Sequence, residues 1–368
     1  MNLIKIFLQF PWRYTDSSYY KYLREFPLKK IRYINEKDFK FILNKNELKV
    51  NNWIKQLIKR LIIKFCSSMS NAHYTRINKE YDLIHCAHCI SKNKSPWVCD
   101  IEFVGQFWAS GLCGNSSSKK HIIKYIMGPY CKKILAWSKW TRNGILKEFP
   151  EIECKLDILY PAVPLREMKK RSYLKINLLF IGRNFELKGG VVALDIFDKL
   201  TKKYDNVSAT IVSDVSNEII KKYELNKKIL FCGLMPHEKL FKEIYPRADI
   251  FVYPTFSDTF GFAILEAQSF GLPVVAMKTR STHTIKETIS EGKTGFIVEN
   301  LEADAVNKIA SEEVKNQITG KIEGLITNKK KLGDMSKNCV REIGSGKFSI
   351  KKRNKKLKKI YSEALKSE

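Results

Sequence analysis

A chain of 368 residues is longer than one ordinary core requires and fits two domains of common size. Hydrophobic residues at 44% and charged residues at 28% exclude collagen-like and disordered classes, and no apolar run approaches the ~20 residues needed to cross a bilayer. The formal charge of +28, from 66 Lys+Arg against 38 Asp+Glu, favours an anionic partner (nucleic acid, acidic membrane or phosphorylated substrate) without selecting one of them.

In chain order, short apolar runs predict strands at 3–10, 82–86, 97–102, 134–137 and 156–160, then at 176–181, 208–212, 229–232, 250–253 and 273–277. Helix-length amphipathic stretches such as 119–130 and 190–203 lie between them, the alternation of parallel α/β domains. The expected fold class is α/β, with two Rossmann-like doubly wound parallel sheets facing across a cleft. Pro161 and Pro164 interrupt both periodicities, so the domains are expected over 1–165 and 166–346. A Lys-rich helix within 347–368, with Ile350, Leu357, Ile360, Tyr361 and Leu365 as its stripe, is expected to pack back on the domains. The segment that opens at Trp53 and closes at Cys66 sets Trp53, Ile54, Leu57, Ile58, Leu61 and Ile62 among Lys55, Lys59, Arg60 and Lys64. It reads either as a helix lying on anionic lipid or as an ordinary core face.

The strongest chemical signal follows the strand at 176–181. Gly182 lets the chain turn tightly, and Arg183 and Lys188, five residues apart, bracket the start of a helix whose free amides favour an anion. This suits a diphosphate; the plainer reading is a solvated loop with two surface cations. The second signal follows the strand at 250–253, where Asp258 and Glu266 lie eight residues apart across a Phe260-Gly261 turn into a helix. Turn amides can receive phosphate oxygens and the two carboxylates can accept from sugar or ribose hydroxyls. Both segments leave the carboxyl ends of strands, where doubly wound sheets bind ligands.

These segments, with Ala267 through Ala276 and the Gly292 to Val298 stretch, resemble the retaining family 4 (group 1) glycosyltransferases of the two-Rossmann-domain GT-B type over about residues 174–300. The resemblance implies a cytoplasmic hexosyl-type transferase acting in polysaccharide or glycan biosynthesis. It would move sugar from a nucleotide-diphosphate donor to a glycan, lipid-linked or polysaccharide acceptor, without cofactor or metal. It gives Arg183 and Lys188 to the donor diphosphate, Glu266 to the ribose hydroxyls and Asp258 to the transferred sugar. Asp258 is a departure, since the family usually has Glu there. Gly182, Thr259, Phe260, Gly261 and Phe262 would complete the donor loops, and Cys232-Gly233 would seat the nucleobase. In the N-terminal, acceptor-side half the family's Gly-rich first loop is replaced by an aromatic, polar loop over 10–20. The place of a sugar-facing His falls to Asp100 or Glu102, with a structural strand-end role as the other reading.

Nine cysteines without regular spacing, and no cleavable leader pattern after Met1, predict reduced thiols in a cytoplasmic setting, with the inner membrane face as a further option. His85-Cys86-Ala87-His88-Cys89 has metal-like spacing but lacks a second paired half, so no metal is expected. Gly344-Ser345-Gly346-Lys347 lacks the first glycine and the hydroxyl of a phosphate loop. A nucleotide-sugar epimerase of the same fold, or a basic nucleic-acid or membrane binding protein without catalysis, are the competing functions; nucleic acid is not the expected partner.

Overall fold

The computed structural model describes residues 3–10, 17–35, 45–167 and 173–366. It divides into Met1–Ala162 with Ile350–Glu368, and Val163–Ser349. The first unit contains β1 (Ile4–Gln9), α1 (Ser18–Glu25), β2 (Ile31–Tyr33), α2 (Lys45–Cys66), β3 (Ala72–His73), β4 (Leu83–Ala87), β5 (Ile90–Ser91), β6 (Trp97–Ile101), α3 (Ser116–Met127), β7 (Cys131–Ala136), α4 (Lys139–Glu148) and β8 (Leu156–Ile158). Its main sheet runs β2-β1-β4-β6-β7-β8, all parallel, and β3 pairs with β5 alongside. Strands β4 and β6 are buried at every position, as a sheet covered on both faces demands.

The second unit contains β9 (Ile176–Ile181), α5 (Gly190–Lys203), β10 (Val207–Val212), α6 (Asn217–Tyr223), β11 (Ile229–Cys232), α7 (His237–Lys239), β12 (Ile250–Tyr253), α8 (Phe262–Ser269), β13 (Val274–Lys278), α9 (Ile285–Thr288), β14 (Gly295–Glu299), α10 (Glu312–Ile326) and α11 (Lys329–Ser345). Six parallel strands run β11-β10-β9-β12-β13-β14, so strand order reverses between β9 and β12. Side chains alternate faces along β9: Ile176, Leu178 and Phe180 enter the core beneath α5 and α10, whereas Leu179 enters the core with Phe251, Ile264 and Leu272.

The two parallel sheets agree with the expected fold class. Two main-sheet strands escape the apolar-run reading, β2 because it is three residues long and β14 because it opens on a glycine. The last helix, α12 (Ile350–Ala364), belongs to the first unit and differs from its expected stripe. Leu365 is 38% exposed, and the stripe is instead Arg353, Leu357, Ile360, Tyr361 and Ala364. Burying Arg353 is tolerable because its guanidinium donates to the carbonyls of Tyr22 and Phe26, both at 3.2 Å, at the end of α1, where carbonyls have capacity for partners beyond the helix.

Candidate active site

The loops after β9 and β12 flank the reversal of strand order in the second sheet, the crevice where doubly wound folds bind ligands. The first is built on close backbone approaches. Gly182 donates to the Val212 carbonyl at 3.1 Å and accepts from the Ser213 hydroxyl at 2.6 Å, fixing the chain as it leaves β9. Gly189 caps α5 in the left-handed region at φ 76°, and Gly190 passes over the Phe185 ring, which a Cβ would meet at 2.2 Å. Arg183 is exposed on this loop, and Lys188 lies half-buried where it joins the helix.

The two loops touch directly. Phe256 donates its backbone N–H to the Leu187 carbonyl at 3.0 Å, and the Lys188 ammonium donates to the Ser257 carbonyl at 2.7 Å and to Asp258 Oδ2 at 3.0 Å. Asp258 also accepts from the Gly261 amide at 3.0 Å and from the Tyr253 hydroxyl. Its carboxylate therefore pins the turn, the end of β12 and the lysine together. Burial, then the Asp258 charge, raises the Tyr253 phenol well above its ordinary range, so it remains a donor. Gly261, at φ 83°, opens α8, while the Thr284 hydroxyl holds the carbonyls of Thr259 at 3.0 Å and Phe260 at 2.8 Å. Phe260 is buried, and Phe262 is half-buried against it with ring centroids 5.3 Å apart.

Glu266 lies on α8 at 5% exposure and takes the Tyr245 hydroxyl at 3.4 Å, with His237 Nδ1 at 3.8 Å from its other oxygen. Neither neighbour was identified from sequence, because only folding brings positions some twenty to thirty residues away to this carboxylate. Cys232 ends β11 and Gly233 follows it with open space beside its Cα. His237 thus brings the segment after β11 close to Glu266. The structure accordingly gathers Lys188, Asp258 and Gly261 in one contact network, with Glu266 one helix turn further on.

In the first unit Asp100 does not stand at an open strand end. It is fully buried, accepting from His85 Nε2 at 2.5 Å and from the hydroxyls of Tyr19 at 3.2 Å and Tyr20 at 3.4 Å. The Tyr361 hydroxyl of α12 meets His85 Nδ1 at 2.5 Å, so the network fastens α12 to the sheet. An acceptor-facing Asp100 is replaced by this structural role, because every oxygen it offers is turned into the core. Glu102 is half-buried past β6, with its amide held by Gln106 at 2.7 Å. The aromatic loop after β1 falls partly at 11–16, outside the described residues.

His88 is the group sequence reading passed over, because its neighbours drew attention to metal spacing. It follows β4, beside the β1/β4 reversal of the first sheet, with φ 58°, a left-handed conformation uncommon outside glycine. Its Nδ1 is buried with no hydrogen-bond partner among the described residues, and its ring packs edge-on against Trp137 and Tyr20. Among the described residues no cluster of three metal-ligating side chains includes it. Burial outweighs the attraction of Asp100 and pushes its pKa down to about 4. Unfolded, it would bind a proton below about 6.5, so the stability it contributes is complete above that pH and lost as pH falls toward 4. Melting curves of His88→Gln should therefore show a fall in Tm between pH 7 and 5 that is smaller than wild type by roughly 2–4 °C.

Residues 167–338 match the family model of glycosyl transferases group 1, and the two parallel sheets are those of a GT-B fold. The chain is 26% identical over 235 residues to the capsular polysaccharide biosynthesis glycosyltransferase CapM of Staphylococcus aureus, covering 60% of this chain and 57% of that one. It spans about three fifths or less of the length of the curated relatives it matches. Among solved structures, a glycosyltransferase from Rickettsia africae ESF-5 superposes with TM-score 0.63 at 18% identity, covering 99% and 100% of the two chains. Anabaena Alr3699/HepE in complex with UDP and glucose gives 0.60 at 13%, covering 98% and 99%. Together the family match and the relatives support a group 1 glycosyltransferase.

Proposed function

We propose that the protein transfers a hexosyl group, with retention, from a nucleotide-diphosphate sugar to a hydroxyl of a glycan, lipid-linked or polysaccharide acceptor, at the cytoplasmic face of a membrane. The observation that carries this reading is the closure of the two loops on each other through Lys188 and Asp258 at the strand-order reversal. A cation, two helix starts and a half-buried carboxylate then meet at that reversal, which fits an anionic ligand bearing hydroxyls. HepE, of the same fold, is complexed with UDP and glucose, which accords with such a donor.

In this reaction the bond from the sugar anomeric carbon to the diphosphate oxygen breaks as the acceptor oxygen bonds to the same face. The acceptor proton passes to the departing phosphate, which gains negative charge as it leaves. Arg183, Lys188 and the turn amides at Phe260 to Phe262 stabilise that charge in place, without reorganising as it forms. Asp258 orients Lys188 and meets the transferred sugar, Glu266 accepts from the ribose, and Cys232-Gly233 flank the base. Glu102 is the acceptor-side carboxylate in this scheme, and none of these roles calls for a cofactor.

A panel of nucleotide sugars incubated with and without membrane extract, scored by mass spectrometry, tests the reading. Release of nucleoside diphosphate that depends on acceptor supports transfer; donor converted to an isomer without acceptor would instead identify an epimerase. Glu266→Gln should raise KM for the donor about 10–100-fold with a smaller change in kcat, the cost of losing one charge-assisted hydrogen bond.

A further inference from the structure

Helix α2 presents an exposed surface of unusual composition. From Trp53 onward its side chains are exposed almost all round: Trp53 is 65% and Phe65 70% exposed, and Leu57 and Leu61 are more than two fifths exposed. At 100° per residue, Trp53, Ile54, Leu57, Ile58, Leu61 and Phe65 fall on one arc of about 140°. Arg60 and Lys64 border one edge of that arc and Lys55 lies beyond the other, while Lys59 is on the opposite face, its ammonium beside Gly111. No acidic residue occurs between Glu47 and Glu80. Past the helix, Met69 and Leu112 are 47% and 52% exposed, and the Ser110 hydroxyl donates to the Ser67 carbonyl at 2.7 Å, tying their two segments together. No helix among the described residues is long and apolar enough to cross a membrane.

We infer that this face docks the protein on a bilayer rich in anionic lipid, with α2 lying in the plane of the headgroups. Cations flanking an apolar arc suit that depth: rings and branched chains enter the acyl boundary while Lys and Arg stems reach back to phosphates. A water-soluble partner would have to bury the same apolar area and answer the flanking cations with carboxylates, whereas an anionic bilayer supplies both at once. A second copy of this chain is disfavoured as occupant, because like-charged edges would meet.

Co-flotation of the full chain with vesicles of phosphatidylcholine, with and without 30% phosphatidylglycerol, tests this without any turnover being measured, so its outcome is independent of the donor site. Wild type should float with the anionic vesicles, less so at high salt, and stay in solution with neutral ones. An R60S/K64S variant should bind on the order of 30-fold more weakly, since each cation near an anionic surface contributes about a fivefold factor. A W53S/L57S/L61S variant should lose binding by a similar factor or more at unchanged net charge. Both sets of side chains are exposed, so melting temperatures near wild type would certify folding. Failure of wild type to float with anionic vesicles, or an apolar variant that binds as wild type does, would overturn the inference. So would a dimer in light scattering that the apolar variant breaks while vesicle binding is absent.

Discussion

Lys188→Ala should lower turnover by roughly 10²–10³, the loss seen when one preorganised donor to a developing oxyanion is removed. The structure makes the lysine the sharper choice over Arg183, because its ammonium is anchored by the Ser257 carbonyl and Asp258 at the junction of the two loops. Its deletion also leaves Asp258 with one fewer partner, though Gly261 and Tyr253 still hold that carboxylate. The melting temperature should therefore move little while kcat falls. Arg183→Ala, on the exposed part of the same loop, should reduce turnover in the same direction with no stability change. Full activity in both single variants would remove the two cations from the chemistry.

Gly189→Ala should be the most damaging one-carbon change in the second unit. A Cβ there would stand 1.9 Å from the Pro254 carbonyl oxygen, and φ 76° is a conformation that alanine adopts only with strain. Backbone cannot yield as a side-chain tip does, so the loops after β9 and β12 must separate. Strain and overpacking together cost roughly 2–5 kcal/mol, which lowers Tm on the order of 10 °C and misplaces Lys188 relative to Asp258. Gly320→Ala, inside α10 with open space at its Cβ position, is the control and should gain about 0.5–1 kcal/mol from helix propensity. Equal stability of the two variants in thermal denaturation would contradict the close loop contact.

How far the site was legible in the sequence follows from what each residue depends on. Strand β9 and helix α5 match their predicted spans end to end, because an apolar run and a helical stripe are local properties. The loops holding Lys188 and Asp258 could be found for the same reason: each is a contiguous segment leaving a recognisable strand. That the loops lie side by side depends on strand order, which no local pattern encodes and which the β9–β12 pairing supplies. Tyr253, Tyr245 and His237 joined the carboxylates only through folding. Arg353 broke the expected stripe of α12 because a charge was read as solvent-facing, whereas the end of α1 provides carbonyls for it. Asp100 misled in the opposite way: an acid near a strand end looked available, yet His85, Tyr19 and Tyr20 turn it inward.

Titration calorimetry of the full chain with UDP, GDP and ADP, each beside its monophosphate, tests the central claim most directly. One diphosphate should bind more tightly than its monophosphate, and Lys188→Ala should erase at least tenfold of that preference, about 1.4 kcal/mol. Equal affinity of wild type and Lys188→Ala for every diphosphate, or no preference for the second phosphate, would contradict a pyrophosphate held between the β9 and β12 loops.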